Sequence, residues 1–254
     1  RYLSGDEIEV WNELHAFSVL DPHDARIEDA RKVVSETMRR VKINLETLVA
    51  RLTANGYVFI DTCNRNGTSI PLTPPDARSH EILALYRELL GPLPLTMSAW
   101  IEQVGDVSLL GHNPNWEPPR VVNDTFYPDP MVVDFTLGAG RPSRSAISLE
   151  EYKIDLEDKR DDILSFTKNA DLNVREYNLD YAPDYCTKQG YSGGAPYCVY
   201  LPDAAVDAWT GNEEYFVDYV RRCFSYGGFD GYPKPELHLP TDLVMSLTEG
   251  LLPI

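Results

Sequence analysis

The chain has 254 residues, 43% hydrophobic and 25% charged, enough for an ordinary core in one large domain or two small ones. Forty acids against 23 lysines and arginines leave a net charge of −17, which repels phosphate backbones, so no nucleic-acid partner is expected. No apolar run approaches the roughly 20 residues that span a bilayer, and the first residues, Arg1 to Glu7, lack the apolar stretch of a signal peptide, so a cytoplasmic protein without membrane contact is expected.

Asp21-Pro22 has the form of a helix start, with Asp as the cap and Pro in the first turn. Val34, Met38, Val41, Leu45, Leu48 and Leu52 follow at spacings of 4, 3, 4, 3 and 4, one apolar stripe on a helix over 22–54. Asn55-Gly56 supplies its left-handed stop. The stripe covers fewer than three heptads, so packing against the same chain is expected rather than a coiled-coil seam. Tyr57 to Ile60 reads as a short strand and Thr62 to Pro75 as a polar loop.

Two helices come next. Ile82, Leu85, Tyr86 and Leu89 line one face of the first, which ends at Gly91. After the rigid Leu93-Pro94 corner, Met97, Trp100, Ile101 and Val104 line the second, which ends at Gly105. Strands are predicted at Val107 to Leu110 and Met131 to Phe135, joined by a long loop rich in Pro, Asn and Trp. Residues 150–162 hold seven acids and three bases, either an acidic docking patch or, more plainly, a solvated connector. A loose alternation over 166–177 marks a further strand, and Tyr197 to Leu201 a firmer one, being aromatic and β-branched. Glu213 to Phe224 reads as a helix with Phe216, Val217, Val220 and Phe224 inward, closed by Gly227-Gly228. The proline-bearing tail from Tyr232 is expected to wrap the surface, pinned by Leu237, Leu239 and Leu243.

Chemical motifs are sparse. Gly190 to Gly194 matches G-x-S-x-G around Ser192, and Asp203 or Asp207 with His238 would complete a triad order. A nucleophile elbow needs a strand before the serine and a helix after it, whereas a strand follows here, so a glycine turn is the better reading. The five histidines form no H-x-x-x-H pair, and Cys63, Cys186, Cys198 and Cys223 form no C-x-x-C pair. Neither a metal, a cofactor nor a disulfide framework is expected, and no catalytic residue is assigned. Asp129 and Asp134 could serve as acid and base, but carboxylates are abundant throughout this chain. The better candidates lie in the long loop. Trp116 and Tyr127, with Glu117, Asp124 and Asp129 around them, would suit an interface for a basic partner. Packing of the loop onto the domain is an equal alternative for Trp116.

Residues 79–134 resemble the start of the SUKH superfamily fold. Ile82, Leu89, Gly91, Leu93-Pro94, Trp100, Gly105 and Val107 to Leu110 match its pattern of helix, glycine, L-P corner, second helix with an aromatic anchor, glycine and strand. The acidic and aromatic run usual after the corner is replaced here by Leu95 to Ala99, and Gly105-Asp106 stands for a double glycine. The resemblance implies an α+β fold, a mostly antiparallel sheet packed against helices, over 57–254, with 1–56 as a helical N-terminal extension. It also implies a protein-binding role, most specifically toxin neutralisation by an immunity-type protein. The acidic charge would then favour a basic protein partner such as a toxin. The alternatives are a hydrolase built on carboxylates or a metal, and a scaffold subunit in which the 22–54 helix docks.

Overall fold

The computed structural model describes residues 1–16, 24–60, 69–116, 120–122, 125–127, 129–135, 148–154, 156–158, 177–182, 197–201, 203–211, 213–230 and 239–254. The chain is α+β, and every strand pairing among these residues is antiparallel. Helix α1 is Glu7–His15, and α2, Arg26–Ala54, runs 29 residues. All six residues of the predicted stripe are buried, from Val34 at 2% exposure to Leu52 at 0%. Each contributes about 1.5–3 kcal/mol by leaving water. The stripe packs on later helices of the same chain. Gly56, at φ +83°, takes the left-handed position after the helix as expected. The Asp21-Pro22 start lies outside the described residues.

Strand β1, Val58–Phe59, pairs with β4, Gly111–His112. Strand β2, Leu72–Thr73, falls inside the predicted polar loop and pairs with β3, Asp106–Ser108, which pairs in turn with β8, Val132–Val133. Helix α3, Ala77–Leu89, opens with a capping box in which Asp76 accepts from the Ser79 N–H. The Leu93-Pro94 corner leads into α4, Leu95–Ala99. This helix widens into a π-helical turn over Trp100–Val104, closed by an i→i−5 bond of 2.9 Å from the Gly105 N–H to the Trp100 carbonyl. Met97, Trp100, Ile101 and Val104 all face inward. Gly105 has φ +87°, and a Cβ there would come within 2.1 Å of the Thr73 carbonyl oxygen. Only glycine lets β2 approach this closely.

Strands β5, Arg120–Val122, and β6, Thr125–Tyr127, form a hairpin within the segment expected to be loop. Strand β7, Asp129–Pro130, pairs with β11, Phe229–Asp230. A short helical stretch at 149–154 begins with a reciprocal Ser148–Glu151 cap and buries Tyr152. Strands β9, Tyr177–Ala182, and β10, Tyr197–Leu201, pair with a bulge at Tyr197/Cys198. Helix α5, Phe216–Ser225, turns Phe216, Val217, Val220 and Phe224 inward as expected. It starts three residues later than the pattern predicted, after Glu213 at φ +60°. The tail is not only a surface wrap, since α6, Thr241–Thr248, packs against α2 and α5.

One hydrophobic cluster runs from Tyr2 through Trp11 and the α2 stripe to Leu247 and Ile254. The segment 1–56 therefore supplies part of the central core. Among the described residues, no helix is long and apolar enough to cross a membrane.

Candidate functional site

Of the residues predicted for an interface in the long loop, burial is described for Trp116 and Asp129, and neither is exposed. Trp116 is half-buried, with its ring 5.3 Å from Tyr57 and 6.1 Å from Phe229. It holds the turn at 113–116 onto the core. Tyr127 belongs to β6 of the hairpin rather than to a loop. Asp129 corrects the expectation most clearly. It is 3% exposed, on β7, which pairs with β11 and sets Asp129 opposite Asp230. Glu117 and Asp124 lie outside the described residues, as do Ser192 and His238 of the G-x-S-x-G reading.

Among the described residues three clusters of buried ionisable groups stand out, and partners within the chain hold their charged groups, while the buried Tyr181 and Tyr219 hydroxyls of the second find no hydrogen-bond partner there. Asp207, which sequence reading offered to a triad, meets His15 of α1 at 2.9 Å. It also accepts from the Thr96 hydroxyl at 2.9 Å and from the Val217 N–H at 3.2 Å, where it caps α5 from a distance. Burial pushes the Asp207 carboxyl up, and His15, Thr96 and the Val217 N–H pull it back down. The His15 ring stacks on Tyr215 at 3.7 Å. The Thr96 hydroxyl beside the pair is itself held between Asp207 and the Ala208 N–H. Such an arrangement is a structural knot tying α1, α4 and α5.

The second cluster centres on Arg222 of α5, which donates to Glu214 and to the buried Asp230. The Tyr197 hydroxyl donates to the same Asp230. Tyr181, Tyr197 and Tyr219 pack edge to face around it, with centroids 5.4–6.2 Å apart. Burial pushes all three phenols well above 10, so they remain neutral. The third cluster joins Arg40 of α2 to Glu7 at 2.7 Å, Glu36 at 2.9 Å and the Pro253 carbonyl at 2.7 Å. Among the described residues, no group of three or more His, Cys, Asp or Glu could hold a metal ion.

A different place has the form of a site. Beside the Leu93-Pro94 corner lies an open groove of about 850 Å³. Its walls are the first third of α2, the end of α3, and α4 with its π-helical turn. Arg31, Ser35, Arg87, Ser98, Glu102 and Gln103 supply its polar lining, and Val34, Leu93, Leu95 and Ala99 its apolar floor. The corner is held rigidly. The Asp203 N–H donates to the Pro92 carbonyl at 3.0 Å, and the Leu95 and Thr96 N–H groups donate to the carbonyls of Ala205 and Val206 at 3.2 and 3.0 Å. These bonds fix one wall, and the α2 stripe fixes the other. Ser35 reaches across to Gln103 at 3.3 Å. The volume is in the range of ligand-binding clefts, and the groove is open to solvent.

Sequence reading found the corner and both helices that flank it. It did not find the groove, because Arg31 and Arg87 are unremarkable on their own helices and meet only in the fold. Compared with known proteins, the chain matches no family model, no characterised sequence and no solved structure.

Proposed function

We propose that this chain is a protein-binding module whose partner docks at the groove beside the Leu93-Pro94 corner. One contrast carries this reading. The charged groups of the buried clusters are occupied by partners within the chain, whereas the groove is open, rigidly walled and lined by both polar and apolar side chains. A groove of that kind recognises a surface or a segment and offers no assembled reaction chemistry.

In its most specific form the module is a cytoplasmic, immunity-type protein that neutralises a basic toxin by covering its active site. The resemblance of the corner to SUKH proteins supports that form, and so does the net charge of −17, which would speed encounter with a basic partner. Affinity capture with the tagged chain tests the reading. Bound proteins are eluted at low and then high salt and identified by mass spectrometry, in parallel with a variant carrying Leu95→Glu on the groove floor. A basic protein held by the parent and lost by the variant supports the reading. Capture of the same proteins by both would remove the groove from it, and a chain that retains nothing would remove the reading itself.

A further inference from the structure

We propose that the later part of α2 carries a second binding site, for an extended aliphatic segment of a partner protein, and that the chain fills it at rest with its own residues 250–254. The chain turns at Gly250, φ +68°, and runs back along α2 without helix or strand. Three polar side chains of α2 meet it there. Arg51 donates to the Leu247 carbonyl at 2.7 Å, Asn44 bonds both main-chain groups of Leu252 at 2.8 Å, and Arg40 donates to the Pro253 carbonyl at 2.7 Å. Positions 40, 44 and 51 share one helical face, and they follow the segment in reverse order. From α5, the Arg221 Nε–H donates to the Ile254 main-chain oxygen at 2.7 Å.

What these side chains hold is backbone. Among the described residues, no main-chain to main-chain bond joins 252–254 to the rest of the chain. Main-chain bonds give a peptide site its affinity, and pockets choose the side chains. The choice here is aliphatic, since Ile254 is 5% exposed and Leu251 and Leu252 are half-buried, whereas Pro253 faces solvent. Pro253 also keeps the backbone extended at Leu252. A hollow of about 350 Å³ beside the segment, lined in part by Ile8 and Phe224, leaves room for a larger aliphatic side chain.

Asn44 decides how such a site is used. It is 1% exposed, and its described hydrogen bonds all go to Leu252. A strap that simply opened would trade these bonds for water and bare the aliphatic surface under Ile254. Exchange for another extended segment keeps both, because any residue but proline offers Asn44 the same N–H and carbonyl. The segment selected has the pattern of the strap itself: two aliphatic residues, a proline and a branched aliphatic residue. This site is separate from the groove, which is walled by the first third of α2, and it does not depend on the reading above.

The test is a fluorescently labelled peptide with the sequence of residues 248–254, titrated by anisotropy against the full chain. In the parent it competes with a tethered copy at an effective concentration of about a millimolar, so binding should be weak. Leu252→Pro removes the N–H that donates to Asn44, which loosens the strap and leaves the side chains of the site in place. This variant should bind the peptide at least about 10-fold more tightly than the parent, and Leu252→Pro/Asn44→Ala should lose that gain. No gain in Leu252→Pro, or a gain that survives the loss of Asn44, would overturn the proposal. Circular dichroism checks the fold of both variants, and a second measurement needs neither. On the isotope-labelled parent, excess unlabelled peptide should speed hydrogen exchange at the chain's own Leu252 N–H and leave the α2 amides unmoved. A Leu252 rate indifferent to the peptide would overturn the proposal equally.

Discussion

Arg31 and Arg40 lie nine residues apart on the same helix, and they have opposite fates. Arg40 is 9% exposed, crosses the Tyr2 ring at 4.8 Å, and is bound by Glu7, Glu36 and the Pro253 carbonyl. Arg31 stands in the groove with one long, exposed contact. The same side chain serves as an internal rivet in one half of α2 and stands exposed on the groove in the other. What differs is the chain's own coverage. Residues 247–254 lie along the later part of α2, where Asn44 bonds both backbone groups of Leu252 at 2.8 Å and Arg51 donates to the Leu247 carbonyl at 2.7 Å. The earlier part is covered on its inner face, where Ala30 and Val34 are buried, but among the described residues no such strap crosses its outer face. A helix with a closed half and an open half teaches that charge on this molecule has to be judged by what covers it.

The largest break in the comparison should come from Arg40→Ala. It strands the buried Glu7 carboxylate, and removing one partner of a buried pair costs about 3–5 kcal/mol. Urea unfolding should show that loss as a lower midpoint with an unchanged slope. Asn44→Ala should follow. It leaves the Leu252 N–H and carbonyl without their partner under a buried side chain, a loss of about 1–3 kcal/mol on the same measurement. If either variant were neutral, the strap would not be what closes this half of α2.

Much of the closed half could be read in the chain, and almost none of what closes it. The α2 stripe, the inward face of Met97, Trp100, Ile101 and Val104, the strand Tyr197 to Leu201 and the inward face of α5 are local periodicities, and burial follows them. Helix α1 escaped because its buried face is Glu7, Trp11 and Leu14. An acid at a core position hides the pattern until Arg40, 33 residues away, explains it. The Asp207–His15 pair spans 192 residues and has no local signal. Helix α6 was masked by the prolines before it. The burial of Asp129 could not be read because nothing local announces that Asp129–Pro130 will pair with Phe229–Asp230 about a hundred positions later. The groove was legible only as its corner.

Acid should loosen the closed half selectively. The Arg39 guanidinium, with help from Arg40, holds the Glu36 carboxyl down to about 2 from its usual 4.5. A carboxyl lowered in the folded state adds stability that is present above about pH 4.5 and is lost as pH falls toward 2. Glu36→Gln should therefore lower stability at pH 7 and flatten the acid limb below pH 5. The difference should be only about 1 kcal/mol, because Arg39 is 56% exposed and solvent screens its part of the bond. Unfolding curves taken from pH 7 to 3 would measure it, and an acid limb that keeps its slope in the variant would assign the sensitivity to another group.

The smallest effect is the most diagnostic. Arg31→Ala should change stability by no more than about 0.5 kcal/mol, since an exposed pair at 3.8 Å offers the fold almost nothing to lose. Trimming the side chain at such a site removes little buried area and leaves α2 a better helix former. If unfolding showed a loss of several kcal/mol instead, Arg31 would be a second rivet, and the open half of α2 would be closed by contacts of its own. A near-zero change would mean that the groove can be altered without touching the fold, so that a loss of binding in its variants reads as recognition and not as unfolding.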